Sequence, residues 1–296
     1  MHRLAPDLAT LHARLLPWYA AASRPLPWRH PETSPWAVFL SEVMSQQTPV
    51  ARVEPIWRQW VDRWPTPAAL AAASPGDVVR AWARLGYPRR ALRLHEAATA
   101  MVARHDGAVP SSLGELLALP GVGDYTAAAV ACFAFGLPAP VIDTNVRRVL
   151  VRILDGEAQA APSLNRAERE LALAAMPPET GAANVWNVAT MELGALVCTA
   201  RNPRCGECPV ADLCAWQLAG RPAYEGPVRR TQSWEGTDRQ ARGALLSVLR
   251  ESSDPVSSER LAQAWPAHQQ RLRCLDTLVA DGLVEPLASD LFRLPV

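Results

Sequence analysis

Apolar residues recur at intervals of three and four along most of this chain, while the strict alternation that marks a strand is nearly absent before residue 280. The pattern predicts an all-α protein. Proline follows serine or threonine at the head of three apolar-periodic runs, at Ser34-Pro35, Thr66-Pro67 and Ser74-Pro75. Each pair sets a side-chain oxygen at an N-cap and a proline at the first helical position, where its missing N–H costs nothing. The first of these helices carries Trp36, Phe39, Leu40, Val43 and Met44 at helical spacing, which leaves Glu42 on its flank. Further helices are expected at about 50–64, 75–84, 87–105, 144–154, 163–175 and 182–197.

The most organised stretch is 119–145, LPGVGDYTAAAVACFAFGLPAPVIDTN. Pro120 lacks an N–H, and Gly121 and Gly123 tolerate positive φ, so the helix before them must turn sharply into the next. Ser112 and Glu115 have capping-box spacing on the upstream side, and 125–135 is nearly all apolar downstream. The result is a helix-hairpin-helix. Its turn leaves the backbone N–H groups of Gly121, Val122 and Gly123 beside a helix amino end, where an anionic phosphate is stabilised. A plain helix connection would read the same way.

Between about 220 and 242 the periodicity fades and Gly, Pro, Arg and Gln gather, the signature of a linker. Beyond it come three short amphipathic runs, at 242–249, after Ser257 or Ser258, and at 269–281. Two alternating runs follow, Leu283-Val284-Glu285 and Leu291-Phe292-Arg293-Leu294. Three helices and a hairpin in that order are similar to a winged helix, in which Arg271, Arg273 and Arg293 are candidates to reach a nucleic acid.

Composition narrows the function. The chain has 296 residues, 49% of them hydrophobic and 20% charged, which is ordinary for a protein with a sizeable core. A net charge of +1 does not announce a nucleic-acid binder, and Arg147, Arg148 and Arg152 taken alone read as a solvated helix face. All thirty basic residues are arginine, which excludes any mechanism needing a lysine Schiff base. No signal pattern opens the chain and no apolar run approaches the roughly 20 residues of a membrane span, so a reduced, cytoplasmic protein is expected.

Cys198, Cys205, Cys208 and Cys214 form C-x6-C-x2-C-x5-C, with Pro203 and Pro209 bracing the loop. A reducing compartment disfavours disulfides and leaves tetrahedral zinc or an iron–sulfur cluster, between which spacing does not choose. Cys132 and Cys274 read as small buried hydrophobes.

LPGVGDYTAAAV and VIDTNVRRVL resemble the hairpin and catalytic segment of the endonuclease III superfamily of base-excision DNA glycosylases. LPWR at 26–29 and SEVMSQQT at 41–48 resemble the MutY-type adenine glycosylases in particular. The resemblance covers about 1–220, with every motif in the family's order; residues 221–296 do not match the usual MutY tail, and about 75 residues are too few for its Nudix-like domain. It implies an all-α, two-lobed helix-hairpin-helix glycosylase fold with an iron–sulfur cluster loop, followed by a small winged-helix-like domain. The expected division is a six-helix barrel at 30–135, a cluster domain of 1–29 and 136–220, a linker at 221–240 and the tail at 241–296.

The resemblance also implies a [4Fe-4S] cluster on the four cysteines. The partner it implies is double-stranded DNA carrying adenine opposite 8-oxoguanine or guanine, met by a monomer with no membrane association. Breaking the N-glycosidic bond of a purine calls for a protonated and an ionised carboxyl group, one for the leaving base and one for the cationic sugar. The family pattern makes Glu42 the acid and Asp143 the carboxylate, with Asn145 orienting it. Tyr125 stands where bifunctional lyases of the superfamily have a lysine, so a monofunctional enzyme is implied. Gln47 and Tyr87 match the wedge that fills the gap left by an extruded base. Arg24, Leu26, Trp28, Arg29 and Val50 match the adenine pocket. Three positions depart from the pattern: Ser45 where a leucine is usual, Val188 where an acid or amide often reaches the base, and Asp124, whose charge disfavours phosphate at the hairpin. A mismatch thymine or uracil glycosylase and a non-catalytic DNA-binding protein are the alternatives.

Overall fold

Helix starts are set by local capping. In the computed structural model, which describes residues 7–226 and 234–296, the side-chain oxygens of Ser34, Thr66 and Ser74 accept from the backbone N of Ala37, Ala69 and Asp77, and proline follows each cap. The helices run in order as α1 (Leu8–Ala22), α2 (Pro35–Ser45), α3 (Val50–Arg63), α4 (Pro67–Ala71), α5 (Pro75–Ala81), α6 (Arg89–Arg104), α7 (Leu113–Leu117) and α8 (Asp124–Phe135). They continue as α9 (Thr144–Leu150), α10 (Arg166–Ala174), α11 (Thr180–Leu196), α12 (Ala215–Leu218) and α13 (Asp238–Glu251). The tail then adds β1 (Val256–Ser257), α14 (Ser258–Ala264), α15 (His268–Ala280), β2 (Glu285–Leu287) and β3 (Leu291–Arg293). Among the described residues no helix is long and apolar enough to cross a membrane.

The chain divides into two compact units. The first holds 7–33, 111–117 and 122–226, the second 34–110, 118–121 and 234–296. Residues 111–117 and 122–135, expected with the six-helix region, thus lie in the unit that holds the cysteine loop, and 227–233 of the expected linker fall outside the described residues.

In the first unit α11 is the spine, packed against α1 and α9. Leu11, Leu15, Val149, Ile153, Trp186 and Leu193 form its core, with the His12 ring edge-on to Trp186 at 4.8 Å. The buried Asn187 side chain accepts from the Val141 N at 3.0 Å and donates to the Ala139 O at 2.9 Å, satisfying the extended segment that leads to Asp143. Past Leu150 the helix widens into a π-helical turn, Val151–Asp155, closed by Gly156 at φ +76°.

In the second unit α2 is buried on all sides from Trp36 to Met44, against α3 and α6. Buried indoles find carbonyl acceptors here: Trp57 donates to Ala37 at 2.7 Å and Trp36 to Trp64 at 2.9 Å. The tail belongs to this unit. Its three helices and the antiparallel sheet, in strand order β1-β3-β2, make the winged-helix arrangement. The first helix starts at Asp238, capped by Thr237, four residues before the expected start. At two residues, β1 is too short to show alternation. Leu245, Leu249, Leu261, Leu278 and Leu283 build the tail's core together with Val79 of α5. Arg80 donates to the carbonyls of Arg250 and Ser252, each at 3.0 Å, and Arg250 donates back to Val79 at 2.9 Å. The tail is therefore built onto α5 rather than tethered by a free linker.

Candidate active site and cysteine loop

In the second unit Glu42 lies on buried α2 with 8% of its surface exposed, so it is not the solvated flank residue that spacing alone suggests. Just beyond α2, Gln47 is exposed and left-handed at φ +53°; Tyr87, between α5 and α6, is 44% exposed and left-handed at φ +47°. A non-glycine residue in that region carries a conformational cost that its surroundings must hold in place. Arg90 supplies the hold. Its Nη1 donates to the carbonyls of Val43 (2.9 Å), Met44 (3.1 Å) and Gln46 (2.7 Å), and its Nη2 to Thr48 Oγ1 (3.0 Å), Leu85 O (3.3 Å) and Gly86 O (3.0 Å). One guanidinium thus binds the turn carrying Gln47 to the turn carrying Tyr87. Burial lowers its pKa to about 10. Val50 opens α3 and is half-buried. Gly121 sits at φ +75°, and a Cβ there would come within 2.7 Å of Arg93 Cβ, so glycine serves both the turn and the close approach to α6.

In the first unit Val122 and Gly123 lead into α8, with Gly123 as its N-cap. Asp124 pairs with Arg169 at 3.0 Å, which offsets the charge expected to repel phosphate. Tyr125 packs on the cluster of Ala128, Ala129, Cys132 and Val141. Asp143 caps α9: its Oδ1 accepts from the Val146 N at 2.6 Å, and its Oδ2 accepts from Asn145 Nδ2 at 2.7 Å. Burial raises the Asp143 pKa above its ordinary 3.8, against the pull of those two hydrogen bonds. Asn145 is itself fixed, because its Oδ1 accepts from Arg148 Nη2 at 2.7 Å.

Arg24 and Arg29, expected to line the adenine pocket, both turn to Glu192. Its carboxylate is fully buried and accepts from Arg24 Nε (2.7 Å), Arg24 Nη2 (2.8 Å), the Arg24 backbone N (2.9 Å) and Arg29 Nη2 (2.8 Å). Burial works against the charge, but the two guanidiniums hold the Glu192 pKa down to about 2. Glu192 and Arg90 are not legible as site residues in the sequence. The signal for Glu192 was a lone acid inside the apolar run of α11; Arg90 had none. Leu26 precedes the 3-10 turn Pro27–Arg29, and Leu26 and Trp28 are both half-buried.

The arginines of α9 and its π-helical extension are not a solvated face. Arg147 donates to buried Glu168 at 2.7 Å. Arg148 Nε reaches the Cys198 carbonyl at 2.8 Å. Arg152 Nη1 reaches Cys198 Sγ at 3.3 Å, while its guanidinium lies 4.5 Å above the Trp216 ring.

Cys198, Cys205, Cys208 and Cys214 line one cavity with Ile153, Leu193, Val197 and Trp216. Among the described residues no group of three or more His, Cys, Asp or Glu closes around a single metal ion; the space that the four cysteines line is apolar. Burial pushes the Cys208 thiol up to about 11, and the other three cysteines push the same way. Four thiolates in such a place require cationic charge among them. The donor set and its apolar wall fit an iron–sulfur cluster.

Residues 40–174 match the family described as HhH-GPD superfamily base excision DNA repair protein, and 198–214 match the iron–sulfur binding domain of endonuclease III. The cofactor of that domain is a [4Fe-4S] cluster. The chain is 53% identical over 283 residues to an adenine DNA glycosylase of Mycobacterium tuberculosis, covering 95% of this chain and 92% of that one. It is 40% identical to the human adenine DNA glycosylase over 72% of this chain and 40% of that one. Among solved structures a thermostable thymine-DNA glycosylase superposes with a TM-score of 0.64 at 27% identity, over 72% of this chain and 97% of that one. With its Asp143 cap, its hairpin and its cysteine loop, the chain belongs to the adenine DNA glycosylase family within the HhH-GPD superfamily of base excision DNA repair proteins.

Proposed function

We propose that this protein is a monofunctional DNA glycosylase that hydrolyses the N-glycosidic bond of adenine mispaired with 8-oxoguanine or guanine, acting as a cytoplasmic monomer on double-stranded DNA. Identity at just over half of all positions to an adenine DNA glycosylase, along nearly the whole chain, carries the reading. Glu42 protonates the departing adenine. Asp143, aligned by Val146 N and Asn145, faces the positive charge that develops on the sugar. Gln47 and Tyr87 fill the space left by the extruded nucleotide, and Gly121, Val122 and Gly123 meet its backbone phosphate. Leu26, Trp28 and Val50 wall the base, and Arg24 and Arg29, anchored on Glu192, form its polar side. With no lysine in the chain, Tyr125 leaves the abasic product uncut.

Cys198, Cys205, Cys208 and Cys214 hold the cluster. When bound, it would supply iron–sulfur bonds that cross-link the loop 198–214 to itself, while Arg148 and Arg152 brace Cys198 from α9 and its π-helical extension.

Likeness to a thymine-DNA glycosylase fold favours a second reading, removal of thymine opposite guanine. Single-turnover assays on duplexes with A opposite 8-oxoguanine, A opposite G and T opposite G separate the two. Adenine release that yields strand breaks only after alkali is expected. Release of thymine alone, or borohydride trapping of a protein–DNA adduct that persists with the N-terminal amine blocked, would overturn the proposal.

A further inference from the structure

Tyr87 is not alone on its surface. Its ring has the Arg90 guanidinium 5.6 Å from its centroid and that of Arg239, from the C-terminal domain, at 4.9 Å. Arg239 lies at the same time 5.2 Å from the ring of Trp234, which is 53% exposed. An aromatic–guanidinium–aromatic stack therefore runs from the turn beside Gln47's clamp into the tail.

Neither an ion pair nor the helix end accounts for the charge of Arg239. It is the second residue of α13, where a cation opposes the helix dipole. The neighbouring Asp238 carboxylate is taken by Arg273 at 2.8 Å and by Gln270 at 2.9 Å. Among the described residues no carboxylate stands within ion-pair distance of Arg239 or Arg90. The tail's other expected reader arginines are occupied instead: Arg271 on the Trp265 carbonyl at 2.8 Å, Arg293 on Glu285 at 2.9 Å. Arg90 is spent on the two turns, so what remains open is the exposed Arg239 guanidinium and two exposed rings. Phosphates answer the first and nucleobase faces the second.

We infer that the Tyr87–Arg239–Trp234 stack is a DNA-contacting surface, through which the C-terminal domain binds the duplex beside the Gln47 and Tyr87 wedge. The inference rests on the glycosylase reading of those two residues and assigns the tail a part in it. Arg239 engages a backbone phosphate, and the exposed Trp234 ring packs on the nucleotide next to it.

The test uses the full-length, cluster-loaded protein with Arg239→Gln, Arg239→Lys and Trp234→Ala. Binding is measured on a duplex carrying a tetrahydrofuran abasic analogue opposite 8-oxoguanine, across a salt series. Arg239→Gln is expected to weaken binding about tenfold and to flatten the salt slope by about one ion, with Arg239→Lys keeping the slope. Trp234→Ala is expected to cost about fivefold or more, the scale of one base–aromatic stack. The melting temperature and the single-turnover rate at saturating protein stay unchanged. Wild-type affinity and slope in both Arg239→Gln and Trp234→Ala would overturn the inference. So would affinity lost only in step with melting temperature at an unchanged slope, which marks a packing role. If the wild type releases no base from any duplex while these variants still lose DNA affinity, the glycosylase reading fails and the surface stands.

Discussion

Asn145 donates to Asp143 Oδ2 at 2.7 Å, and its own carbonyl oxygen accepts from Arg148. The carboxylate proposed to face the sugar cation is thus aligned by an amide that is itself pinned. Asn145→Ala should lower the single-turnover rate by about 10²-fold, the scale of one preorganised donor in a site, with little change in DNA affinity. The support behind it is steric. A Cβ on Gly194 of α11 would fall 2.6 Å from Asn145 Cβ and 3.1 Å from its Cα, so Gly194→Ala must push α9 away from α11. Overpacking of this kind costs about 1–3 kcal/mol. The variant should melt earlier and lose rate together, and a Gly194→Ala protein with wild-type rate and melting point would show that the contact yields without moving Asn145.

Glu42→Gln tests the acid. The side chain stays isosteric on buried α2, so the fold and DNA binding should persist while single-turnover release of adenine falls by about 10²–10⁴-fold. A rate near wild type would remove Glu42 from the mechanism.

Capping and hairpin signals were legible because they are local. Ser34, Thr66 and Ser74 cap the helices that their spacing announces, and Gly121 takes the positive φ that the turn requires. The fates of the arginines were not legible, because they depend on which elements meet. Arg148 and Arg152 sit on a helical stretch whose periodicity allows a wet face, yet α11 and the cysteine loop bring acceptors to them. Glu42 looked flanking for the same reason: spacing identifies the most apolar side of α2 but not that α3 and α6 close over the rest. The region around 221–240 read as a linker from composition, and nothing local revealed that Val79 and Arg80 of α5 complete the tail.

Glu192 gives a pH signature. Its folded pKa, about 2, lies below the ordinary 4.5, so the unfolded chain binds the extra proton between those values. Its contribution to stability is therefore complete above about pH 5 and lost as pH falls toward 2. Glu192→Gln leaves Arg24 and Arg29 without their carboxylate and should cost about 3–5 kcal/mol at neutral pH, the scale of a broken buried pair. The gap in melting temperature between wild type and variant should narrow steadily from pH 6 to pH 3. A gap independent of pH would mean that Glu192 does not hold its charge through the Arg24 and Arg29 contacts.

Arg90 ties the Gln47 turn to the Tyr87 turn through carbonyls of both, and Thr48 reinforces the link by donating to Leu85 O at 3.0 Å. A lysine at this position keeps the charge but not the planar fork, and a single ammonium cannot span six acceptors on two turns. In Arg90→Lys the left-handed turns lose their common anchor, and several buried carbonyls lose a donor at about 1–3 kcal/mol each where no water replaces it. A lower melting temperature alone would say only that the residue is structural. The wedge proposal makes a narrower demand, because Gln47 and Tyr87 are needed only when a base must be drawn out of a stacked pair. At a temperature where both proteins are fully folded, Arg90→Lys should slow adenine release from a paired duplex at least about tenfold, the effect of roughly 1.4 kcal/mol on the extrusion step. Release from a duplex in which the adenine faces an abasic gap, already unpaired, should change much less. Equal slowing on the two substrates would place the defect in the chemical step or in the fold, and the clamp would have no part in extrusion.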